Sequence, residues 1–212
     1  MRRKTVIGMV AASTMVGIIV SGCQSASIKT QPVSKELAAH PEIAQTIGYK
    51  RTTKDIDGTV RTSEVVAVKN DLFEYKTTDG YEWTNYSNPM LPGPTFSGAD
   101  WGTGTQKMSA VKGSMFPLKI GNKMSFTVTG KSDKWPDGWI EKRKCKVESQ
   151  ERVTVVAGEY DAFKVVCDSE RRKRVYFFSP EINDIVWHRN THKTDPSRTT
   201  GWELFETPGA GS

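Results

Sequence analysis

Two histidines near the C-terminal end of the chain, His188 and His192, are spaced as HxxxH. On a helix this spacing places both imidazoles on one face, where they can bind zinc. The surrounding residues favour a strand instead, and four residues of a strand span about 13 Å, too far for one shared metal ion. We therefore expect exposed histidines at the end of a strand, and no metal site or other cofactor.

The tryptophans offer a second kind of chemistry. The chain contains six, and Trp135 and Trp139 flank the segment Pro136-Asp137-Gly138, which is typical of a tight turn. Such a turn could present both indole rings to the face of a sugar. Because tryptophan is also an ordinary residue of cores and sheets, Trp135 and Trp139 stand as candidate ligand-binding residues, with structural packing as the alternative.

Catalytic motifs are absent from the sequence. It contains no GxSxG and no HExxH, and the lone Gly102-Thr103-Gly104 has no frame that would cradle a phosphate. The dense basic run 171–174 is expected at a solvated hairpin tip, with contact to anionic envelope phosphates as the alternative. The sequence therefore favours a protein that is not an enzyme.

The N-terminus has the pattern of an export signal. Three basic residues at positions 2–4 precede an uncharged, mostly apolar run over 5–20. The next residues, Val20-Ser21-Gly22-Cys23, resemble the lipobox of bacterial lipoproteins, in which the cysteine becomes acylated. This resemblance implies a signal peptide over residues 1–22 and a lipid anchor on Cys23, with palmitate among its acyl chains.

The residue after that cysteine is Gln24 rather than aspartate. By resemblance to enterobacterial sorting, this favours the outer membrane over the inner one, with the protein facing the periplasm. The net charge of +6 includes the three basic residues of the signal, so the exported chain is only weakly basic. Nothing in this charge calls for a nucleic-acid partner.

Two further cysteines, Cys145 and Cys167, remain after Cys23 is assigned to lipid. Because the periplasm is oxidising, we expect them to form a disulfide, with two buried thiols as the alternative. Segments 140–156 and 160–168 both have strand character, and Ala157-Gly158-Glu159 could turn one into the other. A hairpin with this turn brings the two cysteines nearly opposite each other.

The remaining pattern divides the chain into a tether and one domain. Residues 23–34 are polar and predict a flexible, lipidated tether. A single β-rich domain is expected over 35–206, beginning with a short helix or two turns over 35–46. Three prolines and five glycines predict a long loop over 87–113, and residues 207–212 are expected to form a flexible tail.

Part of the second half has a recognisable pattern. The residues are Phe116-Pro117-Leu118-Lys119-Ile120-Gly121, the stretch from Val153 to Val165, and the aromatic stretch from Val175 to Ile182. Together they resemble a family of uncharacterised bacterial envelope lipoproteins over about residues 116–205. That resemblance implies an all-antiparallel, strongly curved β domain and brings no catalytic residues.

The sequence thus predicts a mainly β fold, an antiparallel, strongly curved sheet or open barrel with a short N-terminal helix. The favoured function is a non-catalytic, lipid-anchored envelope protein with a structural or protein-interaction role. The partners expected are the membrane, through the N-terminal lipid, and an envelope protein or apolar ligand. One alternative is a carrier or sensor for a lipid or acyl chain, which needs an apolar cavity. Another is envelope glycan binding.

Overall fold

The computed structural model describes residues 28–210 and confirms a mainly β, antiparallel fold. The first seven strands are β1 (Lys29–Pro32), β2 (Tyr49–Asp55), β3 (Val60–Lys69), β4 (Leu72–Thr77), β5 (Glu82–Tyr86), β6 (Thr95–Ser97) and β7 (Gly104–Gly113). The others are β8 (Lys123–Ser132), β9 (Trp135–Val155), β10 (Gly158–Asp168), β11 (Arg172–Ser179), β12 (Asp184–His192), β13 (Thr200–Leu204) and β14 (Gly209–Ala210). A 3-10 turn, Pro196–Arg198, is the one helical element among the described residues.

Strands β2 to β13 form a meander that closes into a twelve-stranded barrel. Each strand pairs with the next along the chain, and β13 pairs with β2 to complete the ring. The long strand β9 takes part twice, since its first half pairs with β8 and its second half with β10. Closure leaves no free edge in the ring, and β1 and β14 pair with strands of the ring from outside it.

Tight turns explain why neighbouring strands pair. Asn70 and Asp71 join β3 to β4 and both have positive φ, 50° and 61°. Two successive residues of positive φ are what a two-residue hairpin turn requires, and Asn and Asp tolerate that conformation. Gly58, with φ 91°, supplies the same freedom between β2 and β3.

The hairpin of β9 and β10 has the predicted disulfide. Cys145 and Cys167 lie directly opposite each other, with 4.0 Å between their Cα atoms, and they are bonded. The turn lies at residues 156–157, and a bulge between Lys164 and Val165 shifts the register by one residue. The disulfide closes this hairpin inside the barrel wall, where both sulfur-bearing side chains are buried.

Two apolar clusters stabilise the sheet. The larger one fills part of the barrel interior, and its fully buried members include Phe163, Val147 and Phe178. The smaller one forms on the opposite face, where Val153, Phe177 and others pack near the β9–β10 turn. Strands β9 to β12 are therefore covered on both faces, which explains their long runs of apolar residues.

The short helix predicted over 35–46 does not form. Backbone groups of this segment bond to the barrel rather than to one another: His40 and Leu118 exchange two N–H to carbonyl bonds of 2.7 and 3.1 Å, and the amide of Ile43 donates to the carbonyl of Ser87 at 3.0 Å. Pro41 lacks the N–H that a helix would use. Residues 33–48 instead run extended into one end of the barrel, where Ile43 is buried.

The long loop predicted over 87–113 is also wrong as a single loop. It contains β6 and β7, and only residues 87–94 and 98–103 are irregular. The glycine that suggested a loop at position 104 begins β7, where a Cβ atom would lie 2.4 Å from the ring of Phe96. Glycine is required there by the close approach of two strands, not by flexibility.

Both ends of the described chain are paired. Residues 29–32, predicted as tether, pair with Glu151 to Thr154 of β9. Residues 209 and 210, predicted as tail, pair with Lys50 and Tyr49. The predicted signal peptide and Cys23 lie outside the described residues, and within residues 28–210 no helix is long and apolar enough to cross a membrane.

Candidate ligand-binding cavity

The interior of the barrel is unevenly filled. Behind β8 to β11 the space is packed by buried side chains such as Phe126, Val165 and Phe178. Leu118 and Met115, from the segment before β8, are also fully buried there. On the other side, mainly along β2 to β6 and β12 to β13, a cavity of about 1050 Å³ opens to solvent. We call these the packed half and the open half.

Aromatic rings form much of the wall of the open half. Five of the six tryptophans in the chain line it: Trp83, Trp101, Trp135, Trp139 and Trp202. Tyr75 stacks on Trp83 with ring centroids 5.1 Å apart, and Trp83 meets Trp101 edge-on at 6.5 Å. These contacts fix the indole planes before any ligand arrives, which lowers the entropic cost of stacking against them.

The two tryptophans singled out in the sequence both line this cavity. They do not flank a turn, because the β8–β9 turn lies at residues 133–134 and both belong to β9. A bulge opposite Gly130 accommodates the Pro-Asp-Gly segment between them. Trp135 is 50 % exposed, whereas Trp139 is half-buried, 6.1 Å from the ring of Phe96.

The floor of the cavity holds a buried ion pair. Asp184, 1 % exposed, accepts a hydrogen bond from Arg51 Nη1 at 3.1 Å. It also accepts from the hydroxyl of Tyr49 at 2.9 Å and from Gln45 Nε2 at 3.2 Å. Burial lowers the pKa of Arg51, but the charge of Asp184, the neighbouring Tyr75 and Tyr49 and the hydrogen bond to Asp184 together outweigh it, so the pKa of Arg51 is raised and the guanidinium stays charged.

Three buried polar atoms, one of them in Arg51 itself, have no hydrogen-bond partner among the described residues. They are Nε of Arg51, Nε2 of His188 and Oδ1 of Asn190, and all three side chains line the cavity. A buried polar atom without a partner costs about 1–3 kcal/mol. All three atoms are covered by neighbouring side chains, so a ligand would reach them only if those side chains moved.

The imidazole of His188 is held between two rings. It stacks on Tyr176 at 4.6 Å, and the ring of Trp202 lies 5.9 Å away. Burial, together with the positive charges of Arg174 and Arg51, lowers the pKa of His188 to about 3. His188 is therefore neutral at pH 7 and has one donor and one acceptor nitrogen.

Arg51 also belongs to the aromatic wall. Its guanidinium carbon lies 4.8 Å from the ring centroid of Trp202, a cation–π contact. Arg51 thus links the ion pair to the stacking surface and fixes both. A ligand that reached Nε of Arg51 would lie against Trp202 as well.

Acidic groups outnumber basic ones in the cavity lining. Four carboxylates (Asp55, Asp57, Asp100 and Asp184) face two guanidinium groups, those of Arg51 and Arg61. Near the rim Arg61 pairs with both Asp55 and Asp79. This balance disfavours an anionic ligand.

A second charged cluster, next to the packed half, accounts for part of the basic run. Glu141 accepts from Arg174 Nη1 at 2.8 Å and from Arg143 Nη2 at 2.7 Å. Burial raises the pKa of Glu141, but the bond from Arg174 and the two positive charges outweigh it, leaving a pKa of about 2. The run 171–174 is therefore not wholly a solvated tip, since Arg174 is buried and paired.

The expectation of exposed histidines was wrong. His192 is 7 % exposed, and His188 faces the cavity between aromatic rings. Among residues 28–210 no group of three His, Cys, Asp or Glu side chains is placed to hold a metal ion. The two histidines lie in one strand, β12, but their side chains have different neighbours.

Most of the cavity was missed by sequence reasoning. Trp83 and Tyr81 did show alternation of aromatic and polar residues, which indicated one buried or adhesive face. The roles of Arg51, Asp184 and His188 had no local signal. They lie on two strands, β2 and β12, which come together only because β13 pairs with both.

Comparisons with known proteins give little information about this cavity. No protein-family model matches the chain, and no curated protein matches it. One solved structure to which the chain is similar is that of the hypothetical lipoprotein YmcC from Escherichia coli (K12), at 9 % identity and a TM-score of 0.48. The alignment covers 82 % of this chain and 92 % of that one. A likeness at this level assigns no ligand and no activity.

Proposed function

We propose that this chain is a non-catalytic, lipid-anchored binding protein of the bacterial envelope, and that the open half of its barrel binds a neutral saccharide. The observation that carries the proposal is the combination of five tryptophans with polar side chains, among them Thr53, Asn85 and Gln106, in the lining of one cavity. Sugars present both an apolar face of C–H groups and a rim of hydroxyl groups. The cavity provides a counterpart for each.

The lining argues against the acyl-chain alternative. An acyl chain is best held by a wall of aliphatic side chains without polar groups. Here the lining includes the buried pair of Arg51 and Asp184, and an apolar chain would cover these groups without bonding to them. A hydroxyl-rich ligand could instead bond to polar side chains of the lining such as Thr53, Asn85 and Gln106.

The size of the cavity supports an oligosaccharide rather than a single sugar. A volume of about 1050 Å³ is at the upper end of the range for small-molecule sites. Exposed indoles at the rim, such as Trp101 at 43 % and Trp135 at 50 %, could hold further sugar units outside the cavity.

The location belongs to the proposal and rests on the sequence. Cys23 would carry the lipid, and Gln24 favours the outer membrane. Strand β1, which follows the anchor, pairs near the last residues of β9, whereas Trp135 at the rim is the first residue of that strand. The mouth of the cavity would then lie far from the anchor and open into the periplasm.

The test is a titration followed by tryptophan fluorescence. A chain beginning at residue 24, which keeps every described strand, is titrated with neutral hexasaccharides of glucose and of N-acetylglucosamine. We expect at least one to shift the emission, because five of the six indoles line the cavity. Replacing an exposed rim ring, as in Trp101→Ala or Trp135→Ala, should weaken binding about 5- to 10-fold, since stacking is worth about 1 kcal/mol.

The matched control is Trp187→Phe. Trp187 packs in the smaller cluster on the outer face, so its replacement should leave the affinity unchanged. Native mass spectrometry of the chain purified from the periplasm tests the rival directly. A lipid that remains bound and is removed by organic extraction, with no response to either saccharide, would overturn the proposal in favour of a lipid carrier.

A further inference from the structure

The outer surface of β8 and β9 carries a row of lysines that the proposed cavity does not use. Lys142, Lys144 and Lys146 alternate along β9, and all three side chains point outward and are exposed. Lys123 of β8 is exposed and lies directly opposite Lys146. We call these four residues the lysine face.

The charges of the lysine face are not neutralised within the described chain. No carboxylate of residues 28–210 lies within ion-pair distance of any of the four ammonium groups. Asp168, which lies opposite Lys144, pairs instead with Lys193 at 3.0 Å. Like charges directly opposite each other on a sheet are destabilising, so this arrangement has a cost that an external anionic surface would offset.

An apolar side chain extends the same row. Ile140 precedes Lys142 on the outer face and is 75 % exposed. Beside a soluble polyanion this side chain would gain nothing. At a bilayer, lysines meet the phosphates while an adjacent apolar side chain enters the boundary of the acyl region.

The position of the row also favours a bilayer. Lys29, where the predicted tether enters β1, pairs with Thr154 of β9, about 26 Å along the same strand from Lys146 at 3.3 Å per residue. Five residues lie between the predicted anchor, Cys23, and Lys29, a reach of at most about 20 Å. An anchored barrel could therefore lie with this surface against its own membrane.

From these observations we infer that the lysine face, with Ile140, docks the barrel on an anionic lipid bilayer. The contact is independent of the saccharide proposal, because the lysines point away from the cavity. It does not require the acyl chains either, so it can be measured without them. Docking would fix the orientation of the cavity mouth instead of leaving the barrel to swing on its anchor.

The test uses the chain beginning at residue 24 and vesicle flotation. Vesicles contain either phosphatidylcholine alone or 30 mol % phosphatidylglycerol, at 50 and 500 mM NaCl. We expect binding to the anionic vesicles at low salt, none to the neutral vesicles, and loss of binding at high salt. Each lysine near such a surface contributes about fivefold to partitioning. Because K142E/K144E/K146E removes three such charges and adds three repulsive ones, it should lower the partition coefficient by at least about 100-fold.

The matched control, K50E/K69E/K76E, makes the same change in net charge at lysines that are paired with Glu64, Glu74 and Glu82. It should keep binding within about threefold, and near-UV circular dichroism would verify that both variants fold. Equal losses in the two variants, equal binding to neutral vesicles, or no binding to anionic vesicles would each overturn the inference. Binding to heparin without binding to vesicles would overturn it in favour of an anionic polymer.

Discussion

The packed and the open halves of the barrel belong to the same meander, but different kinds of side chain face inward in each. In the packed half, inward side chains such as Phe163 and Val147 are aliphatic or aromatic and wholly buried. In the open half, inward side chains are large rings, paired charges and polar groups such as Asn85 and Gln106. The first half stabilises the fold, and the second leaves room and polar groups for a ligand.

The largest expected effect is a contrast in stability between the halves. Phe163→Ala removes a fully buried ring from the packed half and should lower the free energy of unfolding by about 3–5 kcal/mol. Trp101→Ala removes a larger ring, but one that is 43 % exposed, and should cost less than about 1 kcal/mol. Urea denaturation followed by circular dichroism would measure both.

Equal costs for the two substitutions would contradict the division into halves. A large loss from Trp101→Ala would mean that the cavity wall carries the fold, so that its rings are core residues. Adding a bound saccharide sharpens the comparison, because ligand should raise the stability of the parent chain and of Phe163→Ala by the same amount.

The second prediction concerns the disulfide of the packed half. The bond joins residues 22 apart in sequence, so replacing both cysteines by alanine should cost about 3 kcal/mol through the entropy of the unfolded chain. Saccharide affinity should change by less than about twofold, because neither sulfur lies in the cavity lining. Denaturation and fluorescence titration of Cys145→Ala/Cys167→Ala would test both statements. A large fall in affinity with intact circular dichroism would show that the halves are coupled.

The same contrast explains what could be predicted from sequence. The β9–β10 hairpin was predictable because its turn and both cysteines lie within 23 consecutive residues, and pairing there follows from local register. The segment over 35–46 has local helix signals, yet its backbone partners Leu118 and Ser87 are distant in sequence, and tertiary bonding overrides propensity. The region over 87–113 resembles a loop because its glycines permit close packing of strands, which composition cannot distinguish from flexibility.

The cavity was the least predictable part, for the same reason. Trp83, Trp139 and Trp202 lie on β5, β9 and β13, and only barrel closure brings them to one space. The sequence pattern identified Trp135 and Trp139, which both belong to the cavity wall, because these two residues are neighbours in sequence. In a sheet that did not close into a barrel, the other tryptophans of the cavity wall would lie far from these two.

The smallest expected effect is a pH dependence that originates in the open half. The folded pKa of His188 is about 3 against an ordinary value of 6.5, so between these values the unfolded chain binds the proton and the folded chain does not. Stability must then fall as the pH drops below 6.5. From pH 7 to pH 5 the loss should be about 2 kcal/mol, at 1.36 kcal/mol for each unit of pKa difference that is passed.

Glu141 also makes the stability fall as the pH drops, but in a lower pH range than His188. Its pKa falls from 4.5 to about 2 on folding, so the stability it contributes is retained above pH 4.5 and lost only as the pH falls toward 2. The interval from pH 7 to pH 5 therefore excludes Glu141, but the pKa of His192 is also lowered from 6.5 by burial, so a variant of His188 itself is needed. Denaturation of the parent chain and of His188→Gln at both pH values measures the difference. If His188→Gln loses as much stability as the parent, the acid sensitivity arises elsewhere; if its loss is smaller by about 2 kcal/mol, the floor of the cavity holds a neutral imidazole.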